Sequence, residues 1–146
     1  MTIDGENTVI SRITAWLSGF EGLADGELHV DFLPLPARSY TVDSVPCEPV
    51  VKKYLKGAYK QYQFVLASRE FLAADVRTGM YNLAFYEQFE KWVDEANRTH
   101  TLPALGEGRS AHRVKVNSSG YPFIMDEHGT ARYQIQLTLF YYDIPI

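Results

Sequence analysis

The sequence predicts one α+β domain over residues 1–146, with a mixed or antiparallel, curved sheet flanked by two main helices. Apolar residues recur at helical spacing in two segments, residues 9–20 and 78–96. Between and after these segments, apolar and polar residues alternate with the period of two that is typical of strands. The resulting order of helix, strands, helix and strands indicates an α+β domain rather than repeated βαβ units.

The first helix is predicted over residues 9–20, because its apolar positions lie three or four residues apart. Asp4 or Asn7 is expected to accept the free amide hydrogens of its first turn. A strand should follow over residues 27–33, where apolar and polar side chains alternate until Pro34.

A short strand and a long hairpin come next. Residues 39–45 form a strand candidate that ends at a proline. The hairpin has arms over residues 50–55 and 59–68, which are rich in the branched and aromatic residues that suit a pleated surface. Its turn is predicted around residues 56–58, where a glycine occurs.

The second helix is predicted over residues 78–96 and cannot continue through Pro103. Acidic residues, Glu87 and Glu90 among them, lie opposite its apolar stripe and form a solvated face. The rest of the chain is predicted as strands, at residues 111–117, 121–125 and 132–139, with a turn at 126–129. In the last strand only one face is fully apolar, so helices should cover one side of the sheet and leave the other wetter.

Composition excludes several classes of protein. The formal net charge is −4 and the pI is near 5.5, which leaves no basic footprint for duplex DNA or an anionic membrane. No stretch approaches the ~18 apolar residues that span a bilayer, and no secretory signal is expected from the first residues. The lone Cys47 favours a reducing compartment.

No catalytic, metal or cofactor-binding site is predicted. The four histidines lack the spacing of a helical zinc site. Residues 106–111 formally fit the glycine-rich dinucleotide pattern, but that pattern needs a strand before it and a helix after it. Here a helix and a loop are predicted before the segment and a strand after it. We therefore expect that the protein is not an enzyme and uses no cofactor.

Tyrosine is abundant, with ten residues in the chain. Several are expected near strand ends or loops, namely Tyr40, Tyr54, Tyr59, Tyr121, Tyr141 and Tyr142. Tyrosine is enriched at protein interfaces, although it also lies at the edge of ordinary cores with its hydroxyl in water. The surplus favours an assembly or binding protein.

Six short strings follow one another along residues 32–142, and they are LPL at 33–35, YQFVLASREF at 62–71, FYEQFEKW at 85–92, LPAL at 102–105, GYPF at 120–123 and ARYQIQ at 131–136. In order and spacing, the chain resembles the small minor capsid or tail-completion proteins of long-tailed bacteriophages and prophages, the tail terminators in particular. Most of the matching positions are core and turn residues, so their order carries the resemblance.

The resemblance implies a virion structural protein that is assembled in the bacterial cytoplasm. A tail terminator forms a ring, expected here to be a hexamer, that caps the tail tube and joins it to the head connector. The implied partners are further copies of the chain, the tail-tube protein and the connector protein. DNA would pass through the ring without specific binding, which suits an acidic protein.

The ring contacts are expected in the hairpin, residues 52–62, and in the loop at residues 106–113. Cationic side chains there would face acidic ones on helix two of a neighbour. The candidate interface residues are Tyr54, Tyr59, Glu87, Glu90, Arg109, His112 and Arg113. The alternative for these charged residues is an ordinary solvated surface, where ion pairs contribute little.

Three other functions remain open at this point. A head-completion protein of the phage neck would have the same size and composition. From other classes, the chain could be a monomeric binding module that grips its partner with tyrosine-rich loops, or an enzyme whose active site is distributed along the chain.

Overall fold

The computed structural model describes residues 5–23, 28–30, 39–71, 76–125 and 130–145. Two helices and six strands make up this part of the chain. In chain order they are α1 (Val9–Leu17), β1 (Leu28–Val30), β2 (Ser39–Val45), β3 (Val50–Tyr54), β4 (Gly57–Phe71), α2 (Val76–Thr99), β5 (Arg109–Met125) and β6 (Thr130–Asp143). Single 3₁₀ turns at Gly5–Asn7 and Glu21–Leu23 flank α1. The predicted α+β class is confirmed.

The six strands form one sheet with the order β1-β2-β4-β6-β5. Only β1 and β2 run parallel, and the other neighbours are antiparallel. Strand β3 lies outside this path because it pairs with the first residues of β4, ahead of the stretch that pairs with β2. One flank of β4 therefore carries two strands in succession, and β5 is the opposite edge of the sheet.

The first helix begins at residue 9, as predicted, but its N-cap lies one residue after Asn7. The side chain of Thr8 accepts a hydrogen bond from the Ser11 amide at 3.2 Å, so Thr8 is the N-cap. The prediction that Asn7 plays this role was wrong, because the Asn7 side chain instead accepts from Arg12. Asp4 lies outside the described residues.

The second helix ends three residues beyond the predicted end at residue 96. His100 takes a left-handed φ of 56°, and the Thr101 amide donates to the Ala96 carbonyl at 2.9 Å. This arrangement is a Schellman motif, which closes a helix by satisfying its last carbonyls. The sequence offers no glycine at this place, so the end could not be predicted from composition.

The strand boundaries need three corrections. The hairpin turn is at residues 55–56, and Gly57 already belongs to β4. Strand β5 is continuous from Arg109 to Met125, where two separate strands were predicted, and it absorbs four register shifts along its length. The predicted loop at residues 106–113 is therefore loop only as far as Gly108. The predicted turn at residues 126–129, and the remainder of the strand predicted at 27–33, lie outside the described residues.

Both helices pack against one face of the sheet. Ile13 and Leu17 of α1 and Phe89 and Val93 of α2 are buried against the alternate apolar positions of the strands. Those strand residues are Tyr40, Val42, Phe64, Leu66, Val114, Tyr133, Ile135, Leu137, Leu139 and Tyr141. The register confirms that they share a face, since Val42 lies opposite Leu66 and Leu66 opposite Ile135.

The opposite face of the sheet carries both polar and apolar side chains, and it is drier than predicted. Thr41, Gln134 and Thr138 are each more than 90% buried there. Polar partners compensate their burial: the Asn117 amide donates to the Thr138 hydroxyl at 2.7 Å. Near Thr41, Arg132 pairs with Asp43 at 2.6 Å.

Candidate assembly interface

The β3–β4 hairpin carries apolar side chains into solvent. Every residue of β3 is exposed, and Leu55 at the turn is 98% exposed. The other exposed large apolar side chains of the hairpin are Val50, Val51 and Tyr54. Exposed apolar residues that adjoin one another indicate an interaction site, whereas scattered ones do not.

The base of the hairpin bears a cluster of rings on the sheet face away from the helices. The cluster, called here the aromatic cluster, consists of Tyr59, His112, Phe140 and Tyr142. Tyr59 lies opposite Tyr142 in the register, with ring centroids 4.8 Å apart, and stacks on Phe140 at 5.9 Å. His112 contacts both tyrosines edge-on. The Arg113 guanidinium lies 5.1 Å from the Phe140 ring centre, a cation–π contact.

A short hydrogen bond joins Tyr59 to His112, with 2.6 Å between Oη and Nδ1. Burial raises the pKa of Tyr59, and nearby Tyr142 raises it further, while Arg113 acts in the opposite direction. The hydroxyl of Tyr59 therefore holds its proton more tightly than the hydroxyl of a free tyrosine does. The ring orientations of the aromatic cluster are held by this bond.

Lysines make the hairpin cationic. Lys52 lies opposite Tyr59 in the register and contacts the Tyr54 ring at 5.5 Å. Lys53 and Lys56 are exposed near the turn. Lys60 points to the other face and is paired with Asp143 at 2.8 Å, so it adds little net charge.

Four of the seven predicted interface residues thus come together. Tyr54, Tyr59, His112 and Arg113 lie on one face at the hairpin end of the sheet. The sequence prediction missed Phe140, whose place beside Tyr59 depends on the pairing of β4 with β6. The period-two pattern of the last strand could have placed Phe140 on the same face as Thr138.

Arg109 is separate from this group and is used inside the molecule. Its guanidinium donates to the Leu105 carbonyl at 3.0 Å and to the Asn7 carbonyl at 2.8 Å. The Asn7 side chain also accepts from both Arg12 and Arg109. Arg109 therefore ties the N-terminal turn to the start of β5.

The two acidic candidates lie on α2, which crosses the helix-covered face of the sheet from Tyr40 of β2 to Val114 of β5. Glu87 is exposed and has Lys91 3.8 Å away, one turn further along the helix. Glu90 borders a groove of about 240 Å³ between α2 and β5. This groove, called here the α2–β5 groove, is lined by Glu90, Val93, Asp94, Asn97, Val114 and Val116.

Asn97 closes part of the free edge of β5. Its side-chain amide donates to the Val114 carbonyl at 2.7 Å, and its oxygen accepts from the Val114 amide at 2.9 Å. An edge strand normally offers such groups to another chain. The Asn97 side chain occupies them, so a neighbouring strand cannot add to β5 at this position.

Two of the tyrosines expected near strand ends or loops belong to the core. Tyr40 is 1% exposed and stacks on Phe85 of α2, and Tyr141 is 7% exposed. Burial raises the pKa of Tyr141. Both residues alternate onto the helix-covered face of their strands, so strand-end position alone did not predict exposure. Tyr121 belongs to β5, but its side chain lies outside the described residues.

Among the described residues, no group of three or more His, Cys, Asp and Glu side chains is arranged to hold a metal ion. In the same part of the chain, neither helix has the length and apolar character needed to span a membrane. No protein-family model and no curated protein matches the sequence of this chain.

Proposed function

We propose that this protein is a structural subunit of a bacteriophage virion, a terminator-like protein that forms a ring, caps the tail tube and contacts the head connector. The resemblance to tail-completion proteins supports the proposal. So does the arrangement of two unlike surfaces, because the cationic hairpin and the carboxylates of Glu90 and Asp94, which border β5, lie towards opposite edges of one sheet.

The exposed hairpin is the observation that carries the proposal. An apolar turn residue that is 98% exposed contributes nothing to the core of its own chain. Contacts between two different patches of identical subunits are heterologous, and such contacts generate rings when the rotation closes. A hairpin at one edge of the sheet that meets the β5 edge of a neighbour is a contact of this kind.

The charges support the same pairing of surfaces. Lys52, Lys53 and Lys56 lie on the hairpin, and Glu87 and Glu90 lie on α2. Opposite charges steer two surfaces into register and disfavour contact between like surfaces. The proposed assembly is therefore head-to-tail, and it weakens as salt rises.

The ring is tested by measuring mass and shape. Size-exclusion chromatography with light scattering, followed by negative-stain electron microscopy, should show a closed ring with a mass near six subunits. The oligomer should dissociate more readily in high salt. A monomer at every concentration up to the millimolar range, both alone and with tail-tube subunits, would contradict the proposal.

A second experiment separates the terminator role from a head-completion role. Tail-tube subunits from the same genome polymerise without length control when no cap is present. Adding this protein at increasing ratios should shorten the tubes and place a ring at one end of each tube. Tubes of unchanged length without a ring would contradict the capping role.

A further inference from the structure

We infer that Leu55 at the hairpin turn of one copy inserts into the α2–β5 groove of the next copy, with the lysines beside it facing the acidic rim of that groove. This inference rests on the proposed function, since it names the contact that would close the ring. It assigns a partner surface to the most exposed apolar side chain described in the molecule.

The hairpin turn has the form of an apolar knob between two charges. Leu55 is 98% exposed, and Lys53 and Lys56 beside it are also exposed. Lysine stems can lie along apolar surface while their ammonium groups reach an acidic partner. The turn therefore suits a groove with an apolar floor and acidic walls.

The α2–β5 groove has this composition. Val93 and Val114 form a buried floor and Val116 is its more exposed apolar residue, while Glu90 and Asp94, which has Arg98 4.0 Å away, supply the carboxylates. Its volume of about 240 Å³ accommodates a leucine side chain together with parts of the flanking lysine stems. The size of the groove and its complementary charge thus favour the hairpin turn of a second copy as the occupant.

The sheet order prevents a chain from filling its own groove. From β3 the sheet runs through β4 and β6 to β5, three strand spacings or roughly 14 Å across. The hairpin and the groove thus lie at opposite edges, and only another copy can join them. Because Asn97 already bonds the Val114 backbone, the contact is made by side chains in the groove and not by an added strand.

Substitution of the knob is the first test. Leu55→Asp should raise the subunit dissociation constant at least about tenfold, since the new carboxylate would face Glu90 and Asp94. Leu83→Asp is the matched control, because Leu83 is an exposed leucine of α2 that does not line the groove. It should leave the assembly intact. Circular dichroism and thermal unfolding would verify that both variants fold.

A charge exchange tests the pairing directly. Lys53→Glu with Lys56→Glu should weaken assembly, and so should Glu90→Lys with Asp94→Lys. A mixture of the two double variants should form hetero-oligomers, because the hairpin of one then matches the groove of the other. Failure of the mixture to associate, with both parents weakened, would overturn the stated pairing.

A disulfide provides evidence that does not depend on weakened assembly. In a Cys47→Ser background, the double variant Leu55→Cys with Val116→Cys should form disulfides between copies under mild oxidation. The products should be a ladder of linked oligomers up to the size of the full ring. Absence of this ladder from a wild-type-like ring would overturn the inference.

If Leu55→Asp and the charge variants also form normal rings, the inference fails while the proposed function stands. If the wild-type protein forms no ring, the proposed function itself fails.

Discussion

Tyr86 is the residue that joins α2 most directly to the sheet. It is 1% exposed, and its hydroxyl donates to the Tyr133 carbonyl at 3.0 Å. Because that hydroxyl has a single hydrogen, it accepts the bond it shares with the fully buried Ser68. One side chain therefore satisfies polar groups on both β4 and β6.

We expect Tyr86→Phe to lower the free energy of unfolding by about 1–2 kcal/mol, because it leaves the buried Ser68 hydroxyl without its acceptor. Urea denaturation would measure the loss. Adding Ser68→Ala should recover part of it, since the two groups are coupled. Tyr54→Phe, at an exposed tyrosine, is the control and should change stability by less than about 0.5 kcal/mol. An equal loss in Tyr54→Phe and Tyr86→Phe would contradict the argument.

Residue type alone does not predict the role of Arg109. Its charge made it a candidate for the interface, yet its guanidinium bonds to Leu105 and Asn7 of the same chain. Arg113, four residues further along, is exposed and lies over Phe140 instead. The two arginines have the same chemistry, and only the three-dimensional position of Asn7 separates their roles.

The β3–β4 hairpin depends on a glycine just after its turn. Gly57 has a φ of 147°, and a Cβ there would lie 2.6 Å from the Asp143 carbonyl oxygen. The C-terminal end of β6 therefore passes β4 at a distance that only glycine permits. This close approach explains why the glycine lies in the strand and not in the turn where its residue type predicted it.

We expect Gly57→Ala to destabilise the hairpin end of the sheet by about 1–3 kcal/mol, because both the backbone conformation and the contact with Asp143 become strained. Thermal unfolding would measure this effect, and hydrogen exchange should show faster exchange at β3. Gly5→Ala is the matched control, since a Cβ there meets nothing within 4 Å. A Gly57→Ala protein as stable as the Gly5→Ala protein would contradict the strain.

The two edges of the sheet differ in how far they are covered by other parts of the chain. Asn97 occupies backbone groups of β5, whereas β3 presents five exposed residues. Natural proteins usually blunt an edge strand or use it for association. The contrast between the two edges suits a subunit that engages its neighbour in one direction only, as the proposed ring requires.

Stability of the whole molecule should fall in alkaline solution. A hydrogen bond to Asp143 raises the pKa of Lys60, and burial raises the pKa of Tyr59 and of Tyr141. Each group thus holds its proton more tightly in the folded chain than in the unfolded one. Their stabilisation is complete below the ordinary values of 10.0 for tyrosine and 10.5 for lysine, and it is lost as pH rises through the higher folded values.

Urea denaturation from pH 9 upward would measure this decline. Asp143→Asn should make the decline shallower by removing the main cause of the Lys60 shift, and Tyr59→Phe should do the same by removing one titrating group. Lys91→Gln, at an exposed lysine of α2, is the control and should leave the slope unchanged. A flat or rising profile for the wild-type protein would contradict the assigned directions.

Much of the fold follows from short-range patterns. Strand β2 has the predicted bounds, and the alternate residues of β6 from Tyr133 to Tyr141 face the core as their period indicates. The apolar stripes of both helices likewise mark their buried sides. These features are predictable because the periods of 3.6 and 2.0 residues arise from the backbone geometry of each element by itself.

The assembly surface was predictable only in part. Tyr54, Tyr59, His112 and Arg113 were identified by residue type and position near the hairpin, but their neighbour Phe140 comes from a strand about 80 residues away from Tyr59. Pairing between distant strands depends on how the whole sheet closes. No local pattern contains that information.

Side-chain periodicity predicts the α+β class, the type of most elements and the faces that they bury, because periodicity is a local property of the chain. Long-range contacts alone fix that β6 lies between β4 and β5, that the aromatic cluster forms across β4, β5 and β6, and that Arg109 is used internally. Those outcomes depend on contacts between residues far apart in the chain, and such contacts exist only once the sheet has formed.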